Sequence, residues 1–287
     1  MKKRIWFAAG SAASLIAGQL VLATPASADL NGLVKVVTLS ALDSDPKVEV
    51  ATCPRGTVVI GGGGVASGGG SSYVHLTILR PREDVNGFEV AATEVEGGTP
   101  LDWSLEAIAM CAAPPPGLTY VASAPVVVGP SGTSATASAA CPARSVVIGL
   151  GGQIDGGSGE VGFEVVRPTP NLTLVTTTAY EDWNGYDSTW SLTAFAVCAD
   201  LAGQVSLTTT VGIYDASSPK SGAAKCVGQN AYGAGFWIAN GVGHVLVRAV
   251  SIGNLLGVSP HTGVAAGRAP TAPIDQWGVV AYAICGD

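Results

Sequence analysis

Three stretches of the chain share one pattern of apolar and small residues, and each predicts a β-strand. They read Trp103-Ser-Leu-Glu-Ala-Ile-Ala-Met-Cys111, Trp190-Ser-Leu-Thr-Ala-Phe-Ala-Val-Cys198 and Trp277-Gly-Val-Val-Ala-Tyr-Ala-Ile-Cys285. Taking every second residue places the tryptophan, the alanines and the cysteine on one face. Towards the end of each stretch the other face is apolar as well. We therefore expect each strand to lie in the middle of a sheet.

The spacing of these markers shows that the chain is a threefold repeat. Successive tryptophans are 87 residues apart, and so are the cysteines that end the three stretches. A constant period of this length indicates duplicated structural units. After a leader over residues 1–28, the predicted copies occupy 29–116, 117–202 and 203–287.

Further strands follow from comparing the copies with one another. We predict them at Val74 to Leu79, Val161 to Val166, His244 to Val250, Phe88 to Thr93, Leu172 to Thr178, Val121 to Val128 and Val205 to Val211. Glycine runs such as Gly61 to Gly64 follow the first cysteine of a copy. Because no helix pattern or P-loop lysine follows them, we interpret them as bulge and turn glycines and not as a phosphate cradle.

The composition supports an all-β fold with about six short antiparallel strands in each copy. Glycine is abundant, and only 12 % of residues are charged, which suits strands and tight turns better than helices. Two assemblies fit three such copies. One is a single β-prism-like body around a pseudo-threefold axis, and the other is three tandem β-sandwich modules.

If the chain is exported, its six cysteines are expected to form three disulfides, and repeat symmetry leaves two sensible sets. Either each copy closes itself, as Cys53–Cys111, Cys141–Cys198 and Cys226–Cys285, or neighbouring copies are joined. We favour closure within each copy, because a unit of this size buries a marginal core and gains from a covalent link. Closing a loop of nearly 60 residues removes denatured-state entropy worth about 4 kcal/mol.

The first residues predict export. Lys2, Lys3 and Arg4 precede an apolar run, and Ala26-Ser27-Ala28 has the small residues that signal peptidase recognises. Cleavage after Ala28 leaves 11 basic against 21 acidic residues, a formal charge of −10. Such a charge disfavours binding to nucleic acid or to an anionic membrane. We therefore expect a secreted, extracellular protein with neither as a partner.

The repeat resembles a known one. The Cys-Pro-x-x-x-x-Val-x-Gly pattern, the Ser218-Pro219-Lys220-Ser221 lead-in and Trp-Ser-Leu-x-Ala-x-Ala-x-Cys-Ala are together similar to a repeat of secreted actinobacterial proteins of unknown function. The resemblance covers essentially the whole mature chain and implies no particular activity or ligand. Copy three departs from it, because Cys226-Val227 replaces Cys-Pro and the glycine run is shorter.

Candidate catalytic groups do not form a pattern. The three histidines, His75, His244 and His261, do not occupy matching positions, and we interpret them as surface histidines and not as a metal site. Acidic residues gather before the tryptophan strands at Glu94, Glu96, Glu181, Asp182 and Asp187. Glu94 and Glu181 are equivalent, but Arg268 replaces them in copy three. We interpret this group as solvated loop charge and predict no catalytic residue, no metal and no cofactor.

The densest group of aromatic and polar residues in a loop supplies the candidate binding site. It consists of Tyr180, Glu181, Asp182, Trp183, Asn184 and Tyr186. Aromatic rings beside hydrogen-bonding groups suit stacking against sugar rings. We therefore expect a lectin-like, non-catalytic protein that binds a glycan or a cell-envelope polymer. The alternatives are a structural or protective surface protein without a small ligand, and a secreted polysaccharide hydrolase that uses loop carboxylates.

Overall fold

The computed structural model describes residues 30, 32–253, 261–268 and 276–287. The predicted leader, residues 1–28, lies outside this part of the chain. The described residues form 19 β-strands and one short 3-10 turn, Gly69–Tyr73, so the all-β prediction is confirmed. Within these residues there is no helix of the length and hydropathy that a bilayer crossing requires.

Each predicted copy contributes one set of strands. In the first copy they are β1 Val34–Leu39, β2 Lys47–Thr52, β3 Val58–Gly68, β4 Val74–Arg82, β5 Gly87–Glu94 and β6 Trp103–Ala112. In the second they are β7 Thr119–Ala122, β8 Val126–Val128, β9 Ser134–Ala140, β10 Val146–Asp155, β11 Val161–Pro168, β12 Leu174–Glu181 and β13 Trp190–Ala199. In the third they are β14 Val205–Val211, β15 Lys220–Lys225, β16 Asn230–Ala239, β17 Val245–Ile252, β18 His261–Arg268 and β19 Gly278–Gly286.

One predicted strand is interrupted. Residues 121–128 form the end of β7 and the whole of β8, both paired with β13, and not one continuous strand. The break contains Pro125, which has no N–H to donate to a ladder. The Ser123 hydroxyl accepts a hydrogen bond from the Ala194 N–H (3.1 Å) and takes over part of the ladder there.

The strands form three antiparallel sheets. Sheet A has the order β1-β6-β3-β17-β18-β15, sheet B has β2-β5-β4-β10-β13-β7 with β8 also on β13, and sheet C has β14-β19-β16-β11-β12-β9. Each sheet combines strands of two copies, three from each in sheets A and C, and three from the first copy with four from the second in sheet B. The junctions β3–β17, β4–β10 and β11–β16 join the three copies in a closed cycle. This pairing favours a single shared body over modules placed in a row.

The glycine runs allow the strands at these junctions to approach one another. A Cβ on Gly149 would lie 2.0 Å from the carbonyl oxygen of Ile60, and one on Gly61 would lie 2.3 Å from that of Tyr232. The backbones of β3, β10 and β16 therefore pack directly on one another. A β-bulge precedes the contact on each of these strands, so the predicted bulges are present. The glycines themselves serve close strand packing and not turns.

The three tryptophan strands are central, as predicted. β6, β13 and β19 each have a hydrogen-bonded strand on both sides, and Trp103, Trp190 and Trp277 are fully buried. Cys53–Cys111, Cys141–Cys198 and Cys226–Cys285 are the three disulfides, so the prediction of closure within each copy is confirmed. Each bridge ties the first cysteine of a copy to the end of its tryptophan strand.

Candidate binding site

Glu181, the last residue of β12, stabilises the loop between β12 and β13 through hydrogen bonds. This side chain is 6 % exposed, and its Oε1 accepts a hydrogen bond from the Trp190 indole N–H at 2.9 Å. Its Oε2 accepts another from the backbone N–H of Tyr186 at 3.2 Å. Both oxygens therefore have partners inside the protein, and Glu181 shapes the loop from beneath.

The equivalent glutamate of the first copy has the same contacts. Glu94 accepts a hydrogen bond from the Trp103 indole N–H at 2.9 Å and one from the backbone N–H of Thr99 at 2.8 Å. The interpretation of these two glutamates as solvated loop charge is therefore wrong. A buried indole N–H needs an acceptor, and the carboxylate supplies one while fixing the loop that follows.

The tip of the loop is exposed but well connected. Trp183 is 52 % exposed. The Asp182 backbone N–H donates to the Glu160 carbonyl at 2.6 Å, and an Asp182 carboxylate oxygen accepts from the Gly185 N–H at 3.1 Å. Asn184 reaches the first copy, where its amide donates to the Glu96 carboxylate at 2.8 Å. The loop is therefore braced on both sides of the exposed indole.

Tyr186 and Tyr180 differ from Trp183 in their surroundings. Tyr186 packs partly against the core, and its hydroxyl lies 3.3 Å from that of Ser158. Tyr180 lies in β12 opposite Gly162 of β11 and is half-buried. Trp183 is therefore the member of the predicted site whose ring is most available to a ligand.

Tyr180 and Asp182 line a small cavity where the three copies meet. Its wall includes His75 of the first copy, Glu160 and Glu164 of the second, and residues from Ile238 to Leu246 of the third. The interior is about 20 Å³, enough for one water-sized group. The structure thus brings together two residues of the predicted site, Tyr180 and Asp182, with three that the sequence analysis did not assign to it.

His75 is a buried member of this wall. It is 2 % exposed, and neither ring nitrogen has a hydrogen-bond partner among the described residues. Desolvation lowers the pKa of His75 to about 4, so the imidazole is neutral at neutral pH. The interpretation of His75 as a surface histidine is wrong. His244 is half-buried, and the side chain of His261 lies outside the described residues.

Three acidic residues, Glu160, Glu164 and Asp182, line this cavity. Burial raises the pKa of Glu164 to about 7. Burial, followed by the charges of Glu96 and Asp182, raises the pKa of Glu160. The residues that line the cavity include no lysine or arginine. The wall therefore offers carboxylate acceptors and an imidazole that can both donate and accept a hydrogen bond.

The arrangement suits hydrogen bonding to hydroxyl groups. Within the described residues there is no group of three or more side chains that could hold a metal ion. A hydroxyl-sized group fits the cavity, while a flat ring can stack on the nearby Trp183 indole. No protein-family model matches the chain, and no curated protein matches it either.

Proposed function

We propose that this chain is a secreted, non-catalytic, lectin-like protein that binds a glycan or a cell-envelope polymer through the surface around Trp183. The exposed indole, placed directly after a carboxylate of the cavity wall, is the observation that carries the proposal. Aromatic faces stack on the apolar faces of sugar rings, and carboxylates accept hydrogen bonds from their hydroxyls. Three disulfides agree with an oxidising environment outside the cell.

The bracing of the loop supports a binding role. Hydrogen bonds from Tyr186, Gly185 and Asp182 fix the backbone around Trp183 before any ligand arrives. A preorganised loop loses little conformational entropy on binding, which benefits weak sites of this kind. The structural contacts of Glu94 and Glu181 favour binding over hydrolysis, because these carboxylates already serve the indoles and the loops.

The test uses residues 29–287 in a glycan array and in pull-down with isolated cell walls. We expect binding that falls about tenfold in Trp183→Leu, because the aromatic face is lost while an apolar side chain remains. Trp183→Phe should keep most of the affinity. Tyr214→Leu removes an exposed aromatic ring from another part of the chain and serves as the matched control.

Three results would count against the proposal. An array without any signal, together with self-association of the protein, would support a surface scaffold. Equal affinity for Trp183→Leu and the unaltered protein would place the glycan site elsewhere. Release of reducing sugar from a bound polysaccharide would identify a hydrolase.

A further inference from the structure

A second concave region lies on sheet C, away from the Trp183 loop. Its cavity measures about 360 Å³ and runs from Leu207 on β14, past Tyr282 on β19, to Arg167 on β11 and Thr176 on β12. Pro168 at the end of β11, with Thr169 and Pro170 of the turn that follows, completes one wall. This volume is within the range of small-molecule sites.

Arg167 is the cation of this groove, and aromatic side chains hold it. Its guanidinium carbon lies 5.4 Å from the centre of the Trp237 ring, and its Nη1 donates to the Tyr282 hydroxyl at 3.2 Å. Trp237 is 36 % exposed, so part of its indole faces solvent beside the cation. No carboxylate pairs with Arg167 among the described residues.

The equivalent arginine in sheet B provides a comparison within the same molecule. Arg80 lies opposite Glu89 in its ladder, just as Arg167 lies opposite Thr176. Arg80 forms an ion pair with Glu89 at 2.7 Å and also donates to Gln153 at 2.5 Å. Glu89 therefore neutralises the first arginine, and the Glu-to-Thr change at Thr176 leaves the second one without that partner.

The junction residue differs in the same direction, although each arginine also lies near an aromatic ring, Phe195 in sheet B and Tyr282 in sheet C. Gln153, which accepts a hydrogen bond from Arg80, is replaced at the same register of the junction by Trp237. Sheet B thus satisfies its arginine with internal acceptors. Sheet C surrounds its arginine with aromatic faces and hydroxyls, and leaves guanidinium N–H donors for an external acceptor.

We infer that the sheet C groove binds an acidic sugar residue, with the sugar carboxylate on Arg167 and the ring against Tyr282, the aromatic residue of the groove wall. A guanidinium binds a carboxylate through two parallel hydrogen bonds, and an aromatic face suits a pyranose ring. The threonine hydroxyls of the wall provide partners for ring hydroxyls. Because the mature chain is acidic overall, the attraction is local to Arg167 and is weakened by salt.

The experiment is calorimetric titration of residues 29–287 with a glucuronic acid oligosaccharide, a glucose oligosaccharide of the same length, and sodium sulfate. We expect the acidic oligosaccharide to bind at least tenfold more tightly than the neutral one. Thr176→Glu restores the carboxylate found in sheet B and should weaken acidic-sugar binding at least tenfold. Arg167→Gln should do the same.

Matched controls separate this site from the rest of the molecule. Arg80→Gln removes the neutralised arginine of sheet B and should leave affinity unchanged. The effect of Trp183→Leu on glycan-array binding is measured separately, so that failure here and failure of the proposed function are distinct results. Equal binding of the acidic and neutral oligosaccharides, or full affinity in a folded Thr176→Glu variant, would overturn the inference. Sulfate binding as tight as that of the acidic oligosaccharide would reduce the groove to a plain anion site and refute the sugar assignment.

Discussion

Trp103 and Trp190 occupy equivalent positions and are equally buried, but the residues that cover them are of opposite character. Lys47 places its ammonium 4.4 Å from the centre of the Trp103 ring and forms an ion pair with Asp43. The backbone of Asp43 pairs with Trp103, whereas Val128 pairs with Trp190 at the same register. Ala135 stands where Lys47 would be, by the register of β9 and β2. An ion pair in the first copy is thus an apolar pair in the second.

The third copy shows that the lysine and the aspartate occur together. Lys220 lies 5.1 Å from the Trp277 ring centre and pairs with Asp215, which is bridged to Trp277. Copies one and three keep the lysine and the aspartate, and copy two has neither. A buried cation without its partner is costly, whereas an apolar pair of similar shape is tolerated. Either an ion pair or an apolar pair can therefore cover the buried tryptophan, provided that both members of the pair are present.

The largest expected loss of stability comes from placing one member of the ion pair, the lysine, beside the apolar Val128 of copy two. Ala135→Lys places a lysine beside Trp190 where Val128 offers no carboxylate, so we expect a loss of about 3 kcal/mol in the free energy of unfolding. The double variant Val128→Asp, Ala135→Lys should recover most of that loss. Guanidinium unfolding followed by circular dichroism measures both. If the double variant is no more stable than the single one, the two positions do not act as a pair.

A second contrast concerns the indole N–H. Glu94 and Glu181 accept from Trp103 and Trp190, but Arg268 occupies this position in copy three, and an arginine side chain cannot accept a hydrogen bond. The Trp277 indole N–H has no partner among the described residues. In copies one and two the tryptophan is therefore the donor to a glutamate, whereas in copy three the described residues show no such hydrogen bond.

Replacing each tryptophan by phenylalanine measures this second contrast. Trp190→Phe leaves the buried Glu181 carboxylate without its indole donor, whereas Trp277→Phe removes no such contact with the part of the chain that the structure describes. We expect Trp190→Phe to cost about 2 kcal/mol more, because a buried carboxylate oxygen without its donor adds to the volume lost. Glu181→Leu in the Trp190→Phe background should restore part of the stability. Equal losses in the two single variants would contradict the role given to Glu181.

The strands and disulfides could be predicted from the sequence because they follow from local pattern and repetition. Alternation of apolar residues identifies a central strand such as Trp190–Ala199 without knowledge of its neighbours. The binding site stays a prediction, and the structure shows only where its residues lie. Trp183 is exposed as a ligand-stacking residue must be, but Glu181 serves the fold. A glutamate nine residues before the tryptophan in two copies was the available signal for that role.

The burial of His75 could not be predicted in this way, because it depends on residues from different copies. His75, Gly162 and Leu246 are equivalent positions that come together in the cavity wall. A Cβ on Gly162 would lie 3.3 Å from the His75 Nδ1, so the glycine makes room for the imidazole. Aligning the three copies shows which positions are equivalent but not which of them are in contact. Here the large His75 of one copy packs against the small Gly162 of another.

The smallest expected effect is an acid dependence that the copies do not share. The hydrogen bond from Lys220 lowers the pKa of Asp215 to about 2, and that from Lys47 also lowers the pKa of Asp43. A carboxyl group with a lowered folded-state pKa stabilises the fold above its unfolded pKa, and this contribution is lost as pH falls towards the folded value. The loss should therefore occur between about pH 4 and pH 2.

The double variant Asp215→Val, Lys220→Ala gives copy three the apolar pair of copy two and isolates this effect. Its unfolding midpoint should fall less steeply than that of the unaltered protein between pH 4 and pH 2, while the two should have similar slopes between pH 5 and pH 7. Asp200→Asn, at an aspartate outside the tryptophan pockets, is a control for the general loss of one negative charge. Parallel pH profiles for the double variant and the unaltered protein would show that the ion pair beside Trp277 adds no acid-sensitive stability. The two ways of covering a tryptophan would then be equivalent at every pH, and the persistence of the lysine in two copies would need a cause other than its charge.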